Sequence, residues 1–428
     1  METTKSNTLG PFVLLAFTFF IVGFMTVING QCQGPLKQTF LAHAGELKNT
    51  LTTLISFFFF LGFLVNGSTG GRWINQHGYK TALLRGLVLM ITGLLTYLAA
   101  ALFAEHLNGL CLPIGAERIP YGFFIFLMGS FLIGSSAAVL QTVIIPYVSA
   151  YELPHTQSVQ RVNITCAVNS LGTTIAPFFV TGILFGGVSL TEIEAGQLQL
   201  PFLIIALCIV GIRYVISRLH LPDMAHTRMM KHEQQRMRRS IWSFRHLKWG
   251  VVAIFFYVGA EVAVGTNINL HAMETTNSEE ALSLSALLAT LYWSGMMIGR
   301  IVSGFLYNVS ARTQLTVTTI IATLLILVGT ATNNLWILVS VGLFHSVMWG
   351  SIFTLAVKGL KKYTSKASGL FMTGVFGGAV FPILQGIAAD LSGSWQWTWL
   401  LIAVCELVML GYALFGSRIR QADLEDID

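Results

Sequence analysis

Twelve runs of predominantly apolar residues, each 18 to 28 residues long, follow one another along the chain with mostly short polar connections. They cover approximately 10–31, 51–74, 82–104, 121–146, 159–186, 200–217, 248–268, 283–307, 314–331, 335–357, 367–388 and 396–416. An α-helix needs about 20 apolar residues to cross a bilayer, so each run is read as a spanning helix. Membrane β-barrels are excluded by length, because their strands alternate over only about 9–11 residues. The expected fold class is all-α and integral to the membrane, with twelve transmembrane helices in two pseudo-symmetric six-helix bundles. The one long polar stretch divides the spans six and six. It predicts an N-terminal bundle at 1–217, a cytoplasmic basic linker at 218–247, and a C-terminal bundle with a short tail at 248–428.

The two halves echo one another. Phe19-Phe20-x-Val22-Gly23 returns as Phe255-Phe256-x-Val258-Gly259. Gly62, Gly71 and Asn75 return as Gly295, Gly304 and Asn308, and the spacing Gly172 to Pro177 returns as Gly377 to Pro382. The echoes keep their order and pair spans 1 with 7, 2 with 8 and 5 with 11, as a duplicated six-helix unit requires. Small residues in such runs let helix backbones approach closely, and the Gly/Pro pairs of spans 5 and 11 mark helices expected to bend.

Composition supports the membrane reading. Hydrophobic residues make up 54% of the chain and charged ones 10%, against about 25% charged in soluble domains. The net charge of +6 follows topology rather than a nucleic-acid surface. Eight Lys/Arg lie between Arg218 and Lys248 with two acids, Asp223 and Glu233. Arg72, Lys80 and Arg85 follow span 2, and Lys358, Lys361, Lys362 and Lys366 follow span 10. Two alternate connections are acidic, with Glu192 and Glu194 in one and Glu274, Glu279 and Glu280 in the other. By the positive-inside rule the basic loops and both termini are expected to be cytoplasmic. The first run is longer than a signal-peptide core and is kept as a helix. The RMMKHEQQRMRRS segment is read as a solvated linker. Cysteines 32, 111, 166, 208 and 405 show no disulfide or metal-ligand spacing. Phosphate-loop, zinc-protease and nucleophile-elbow motifs are absent, so the chain is not read as an enzyme.

What the apolar runs do contain is polar side chains. Asn29, Gln31 and Gln33 close span 1; Gln141 lies in span 4, Asn163 and Asn169 in span 5. Glu261, Asn267, Asn269 and His271 lie in span 7, His345 and Trp349 in span 10, and Gln385 in span 11. Amides both donate and accept, which suits a polyhydroxylated ligand, and Tyr257, Trp293 and Trp349 offer faces for a sugar ring. Each residue alone is as well explained by a helix–helix hydrogen bond; the set together suggests a polar cavity. Glu261 is the most informative of them. A carboxylate at membrane depth costs roughly 2.5–3.5 kcal/mol, and the equivalent position of the first half is Met25. Glu261 is expected to exchange a proton, or to hold Na⁺ with neighbouring oxygens. Arg161 and Arg300 are expected at the cytoplasmic interface and Asp390 exposed at the end of span 11; Glu406, in a peripheral span 12, is read as a partly hydrated outlier, with a second functional acid as the alternative.

Three segments, FFYVGAEVAVGTNI (255–268), MWGSIFTLAVKGLKKYTSKASG (348–369) and FGGAVFPILQGIAAD (376–390), resemble the fucose/glucose/galactose permease family of the major facilitator superfamily. RVNITCAVNSLGTTIAPF (161–178) and INGQCQGPLKQTF (28–40) fit it more loosely. The resemblance implies the major facilitator fold and secondary active uptake of a hexose or related sugar, usually driven by protons. It also shows departures. Gly30 stands where the family commonly has an aspartate after Asn29, and Gln141 where the fucose branch has a glutamate. Asn169 matches the family asparagine, and the YVGAE run with Glu261 is similar to the glucose/galactose branch.

The expected function is import of a hexose or related sugar by alternating access, coupled to H⁺ or Na⁺ through Glu261. The expected substrate contacts are Asn29, Gln33, Gln141, Asn163, Asn169, Tyr257, Asn267, Trp349 and Gln385. No cofactor is expected beyond the coupling ion, and no metal except Na⁺ near Glu261. The expected partners are a small sugar and the lipid bilayer, with no nucleic acid, and the carrier is read as a monomer of a bacterial inner membrane. The alternatives are a carrier or exporter of a non-sugar amphipathic solute, an uncoupled sugar uniporter, or a sensor that binds sugar without moving it.

Overall fold

The computed structural model describes residues 9–41, 47–107, 110–114, 117–151, 153–154, 156, 158–184, 195–219, 221, 240–276, 278–305, 309–360 and 363–419. Twelve helices in it are long and apolar enough to cross a membrane. We number them α1 (Leu9–Gln31), α2 (Lys48–Ile74), α3 (Gln76–His106), α4 (Tyr121–Val148), α5 (Ile164–Leu184), α6 (Gly196–Arg218), α7 (Arg245–Thr275), α8 (Glu280–Ser303), α9 (Ala311–Thr332), α10 (Leu335–Val357), α11 (Leu370–Ser392) and α12 (Gln396–Gly416). The twelve apolar runs thus correspond one to one with helices, and the chain is a multi-pass membrane protein. Most of the polar stretch assigned to the linker, with its RMMKHEQQRMRRS run, lies outside the described residues. The all-α fold expected from the sequence holds, with one small addition in a connection. Strands β1 (Cys111–Ile114) and β2 (Glu117–Pro120) form a small antiparallel hairpin between α3 and α4, with Cys111 opposite Pro120. Four residues each are too few to show a period in the sequence.

Helix neighbours repeat between the halves. In the first half α1 packs on α5, α2 on α4, α3 on α4 and α3 on α6. In the second, α7 packs on α11, α8 on α10, α9 on α10 and α9 on α12. Adding six to each number of the first set gives the second. The seam between halves follows the same symmetry, with α2 against α11 and α5 against α8.

Two of the glycine echoes are contacts that hold this pattern, whereas a Cβ on Gly71 would meet nothing within 4 Å. A Cβ on Gly172 of α5 would collide with the Phe20 carbonyl of α1, and one on Gly377 of α11 with the Phe255 carbonyl of α7. Gly62 of α2 abuts the α4 backbone at Phe131 and Ser135, and Gly295 of α8 abuts that of α10 at Gly342 and Leu343. Without a hydrophobic drive between helices in lipid, close backbone approach at small residues is a main source of association. Helix irregularities fall where the sequence breaks regular hydrogen bonding. Gly78 at φ 81° kinks the chain in the first residues of α3. Pro177 precedes a π-helical end of α5 at Val180–Leu184, and a 3₁₀ turn at Gly374–Phe376 interrupts α11 before Pro382. The expected bends of α5 and α11 have these local forms.

Candidate functional site

One end of the seam is sealed. Every residue of α1 from Val27 to Gln31 is buried, as is every residue of α7 from Val262 to Ala272. Gln31 Nε2 donates to the Gly265 carbonyl at 3.1 Å, and Asn269 Nδ2 donates to Gln31 Oε1 at 2.7 Å, tying α1 to α7. Gly30 of α1 meets Thr266, and just beyond the end of α1 Gly34 meets Met273, so the contact with α7 continues past the end of α1.

Asp390 completes the closure and corrects the sequence expectation. It is half-buried rather than exposed, because it caps the first turn of α2 from the other half. Its carboxylate accepts from Asn49 N at 3.2 Å, Thr50 N at 2.7 Å and Thr50 Oγ1 at 2.6 Å. The first backbone N–H groups of a helix have no partner within it, and its positive dipole end favours an anion. Asp390→Ala is expected to weaken the closed arrangement by about 1–2 kcal/mol, as for loss of an N-cap. A spin-label distance between the ends of α2 and α11 reads this as a longer, broader distribution.

Lys37 lies in the helical turn after α1, beside the Asn49 side chain carbonyl. Burial, aided by Lys48, pulls its amine down to about 8, against the opposing pull of Asp390 and Glu274. Below about pH 8 the ammonium therefore penalises this closed arrangement, and the penalty fades as pH rises toward the ordinary lysine value of 10.5. The same α2–α11 distance is expected to tighten as pH rises through that window, and Lys37→Met to abolish the pH response.

Glu261 sits at the inner edge of the sealed stretch. Its neighbours Ala260 and Val262 are buried, but its own side chain keeps 15% exposure. Arg300 of α8 places Nη2 3.9 Å from Glu261 Oε1 and donates from Nη1 to Ser170 Oγ of α5 at 2.8 Å. Arg300 therefore does not stand apart as an interfacial charge: it joins the intramembrane acid to the opposite half. The Arg300 side chain is 42% exposed, so the pair borders open space. A sequence reading missed it because 39 positions separate the partners and Arg300 lies near a helix end.

The other expected site residues divide by surroundings. Asn29 is buried within the first half, donating to the Ile55 carbonyl at 3.5 Å and accepting from Tyr97 Oη at 2.5 Å; Tyr97 also meets Ser130 Oγ at 2.9 Å. Gln33 Nε2 donates to Ser56 Oγ at 2.8 Å. Asn267 Nδ2 donates to Gln385 Oε1 at 3.0 Å, and Gln385 Nε2 donates to Thr398 Oγ1 at 3.1 Å. In this conformation those four amides tie helices together. Asn169 is half-buried and donates to the Phe19 carbonyl at 2.7 Å, against Gly23. Gln141 and Trp349 are also half-buried, Trp349 stacking on Phe353 with ring centroids 5.5 Å apart. Tyr257 is buried and donates to the His345 carbonyl at 2.9 Å. Asn163 belongs to the helix Ser158–Phe179, and its side chain lies outside what is described.

Two further expectations change. Glu406 is fully buried, not partly hydrated, and its Oε1 lies 2.7 Å from His345 Nε2. Arg161 is buried at 7% exposure and donates to the carbonyls of Val148 at 3.1 Å and Thr156 at 2.8 Å, fastening the approach to α5. Among the described residues no cluster of three or more His, Cys, Asp or Glu is arranged to hold a metal ion.

Twelve spans in two repeated bundles, with an ion-paired acid at their seam, define a carrier-like membrane architecture. A Major Facilitator Superfamily profile matches residues 19–379, and the chain belongs to that superfamily. It is 29% identical over 425 residues to the glucose/galactose transporter of Brucella abortus (strain 2308), covering 97% of each chain. It is 25% identical over 439 residues to the L-fucose-proton symporter of Escherichia coli (strain K12), covering 95% of this chain and 93% of that one. A crystal structure of a variant of the Escherichia coli fucose:proton symporter FucP superposes with a TM-score of 0.64 at 23% identity, over 96% of this chain and 99% of that one.

Proposed function

We propose that this protein imports a hexose of the glucose/galactose type across a bacterial inner membrane by alternating access, coupled to protons through Glu261. The single observation that carries the reading is Glu261 itself: an intramembrane carboxylate at the limit of the sealed seam, paired with an arginine that also grips the other half. Protonation of Glu261 would release Arg300, and Arg300 holds α8 to α5, so one proton reaches a contact that must rearrange when the bundles rock. The guanidinium favours H⁺ over Na⁺, because a second cation beside the carboxylate would be repelled. The relatives named above for glucose/galactose transport and fucose–proton symport support the substrate class. The positive-inside expectation would set the sealed end on the outer face, which supports reading this conformation as inward-facing. The half-buried Asn169, Gln141 and Trp349 are the residues we assign to sugar in this state. Asn29, Gln33, Tyr257, Asn267 and Gln385 would act on substrate only where their present partners part.

Uptake of labelled glucose, galactose and fucose into proteoliposomes, with imposed proton or sodium gradients, tests this. Uphill glucose or galactose uptake driven by the proton gradient alone is the expected result. Uptake driven by sodium alone, or no sugar flux with efflux of a lipophilic solute, would overturn it.

A further inference from the structure

Behind the Glu261–Arg300 pair lies a second acid that the proposed mechanism does not use. Glu406 of α12 and His345 of α10 are both fully buried, with Nε2 and Oε1 2.7 Å apart. The other ring nitrogen, Nδ1, is 2.7 Å from Tyr292 Oη of α8. Tyr257 Oη of α7 donates to the His345 carbonyl at 2.9 Å and faces the Glu261 carboxylate. Tyr257 thus stands between the cavity acid and the main chain of the residue whose ring meets Glu406.

We propose that the His345–Glu406 pair is a second proton-binding site of the transporter, set behind the cavity and separated from Glu261 by Tyr257. The charge count supports this directly. With one proton between them the pair is neutral, either as carboxylate and imidazolium or as carboxylic acid and imidazole. Losing that proton to water leaves a carboxylate beside a neutral ring, a net charge of −1 in apolar surroundings. Both ring nitrogens keep a partner in either protonation state, because the Tyr292 hydroxyl can donate to Nδ1 or accept from it. Glu406 Oε2 is buried with no hydrogen-bond partner among the described residues, a poor setting for a permanent anion. A purely structural clamp would pair that oxygen as well.

The groups facing the pair are few. His345 comes from α10, Tyr292 and then Arg300 from α8, Tyr257 and Glu261 from α7. On α12, Cys405 adjoins Glu406 and donates to the Leu401 carbonyl. The lone charge of α9, Arg312, lies at its far end against Ser417, and Asp390 of α11 is at the sealed end. Arg300, the cation of α8, is committed to Glu261 and Ser170. His345 acts electrostatically on Glu261, so the ionisation of Glu261 and that of the pair influence each other.

This inference rests on the reading of Glu261 as the coupling acid, and proton counting separates the two. Purified full-length protein is titrated in unbuffered detergent solution, and bound protons are compared among wild type, Glu261→Gln, Glu406→Gln and the double variant His345→Asn/Glu406→Gln. The expected result is that Glu406→Gln and the double variant each bind one proton fewer than wild type across the working pH range. The pH profile of galactose counterflow is expected to lose one ionisation step in both. An unchanged proton count and profile in Glu406→Gln would overturn the second site. An unchanged count in Glu261→Gln alone would sink the coupling role while leaving the pair intact. If these variants do not fold, infrared titration of wild type with isotope-labelled glutamate carboxyls and histidine rings decides. Glu261 together with either a second carboxyl or a histidine ring responding to pH supports the proposal, and Glu261 responding alone overturns it.

Discussion

Glu261→Gln is expected to abolish uphill sugar accumulation while leaving sugar exchange running. Gln keeps the shape and the hydrogen bonding of the side chain but cannot give up a proton. Arg300 then has no anion to release or recapture, and its bond to Ser170 stops depending on a protonation event. One proton moving with each sugar through 100 mV supplies about 2.3 kcal/mol, enough for an accumulation of about 50-fold. In Glu261→Gln the steady-state ratio should fall to about 1 under the same gradient, with counterflow retained to within about an order of magnitude. Glu261→Asp, which keeps the titrating group but shortens the reach to Arg300, should accumulate weakly. The measurement is labelled sugar uptake against counterflow in the same vesicles. Equal loss of both activities in Glu261→Gln would mean the residue binds substrate or supports structure instead.

The second large effect concerns the helix contacts. Gly377→Val should prevent stable folding, because its Cβ would lie inside the Phe255 carbonyl of α7, and a backbone group cannot swing aside. Gly172→Val should do the same against the Phe20 carbonyl of α1. Overpacking at a flexible side chain costs about 1–3 kcal/mol, and a clash with main chain lies at or beyond the upper end. Gly411→Val serves as the control, since a Cβ there meets nothing within 4 Å. Fluorescence-detected size exclusion after a heating series reads all three. The two contact glycines should lose the monodisperse peak at temperatures where Gly411→Val and wild type keep it.

The fold was largely legible because the bilayer imposes one length and one backbone solution on every span. The duplication was legible because the same helix pairs must pack closely in each half. Gly172 and Gly377, found as an echo, turn out to occupy matching crossings. The hairpin β1–β2 left no signal, being too short to show alternation.

The site was legible in parts. The oddity of Glu261 was plain from its apolar neighbours, but a charge count along a sequence does not reveal its partner. Arg300 looked like an interfacial cation because it stands in the last turn of α8, which ends at Ser303. Glu406 looked like an outlier because His345, its partner, lies 61 positions away. Asp390 looked exposed because its acceptors are filled by the start of a helix in the other half, 340 positions away at Thr50. The amides show the opposite difficulty. Asn29, Gln33, Asn267 and Gln385 carry chemistry that suits a sugar, and the same chemistry suits a neighbouring helix. In the sealed end of this conformation the helices have taken them.

Sugar and proton crossing together through a site governed by Glu261 has a direct signature. It is the pH of a lightly buffered suspension of proteoliposomes when glucose or galactose is added outside, with no gradient imposed. Cotransport predicts a transient alkalinisation of the medium that scales with sugar entry, is abolished by a protonophore, and is missing in Glu261→Gln. Sugar entry with no change in external pH would contradict it.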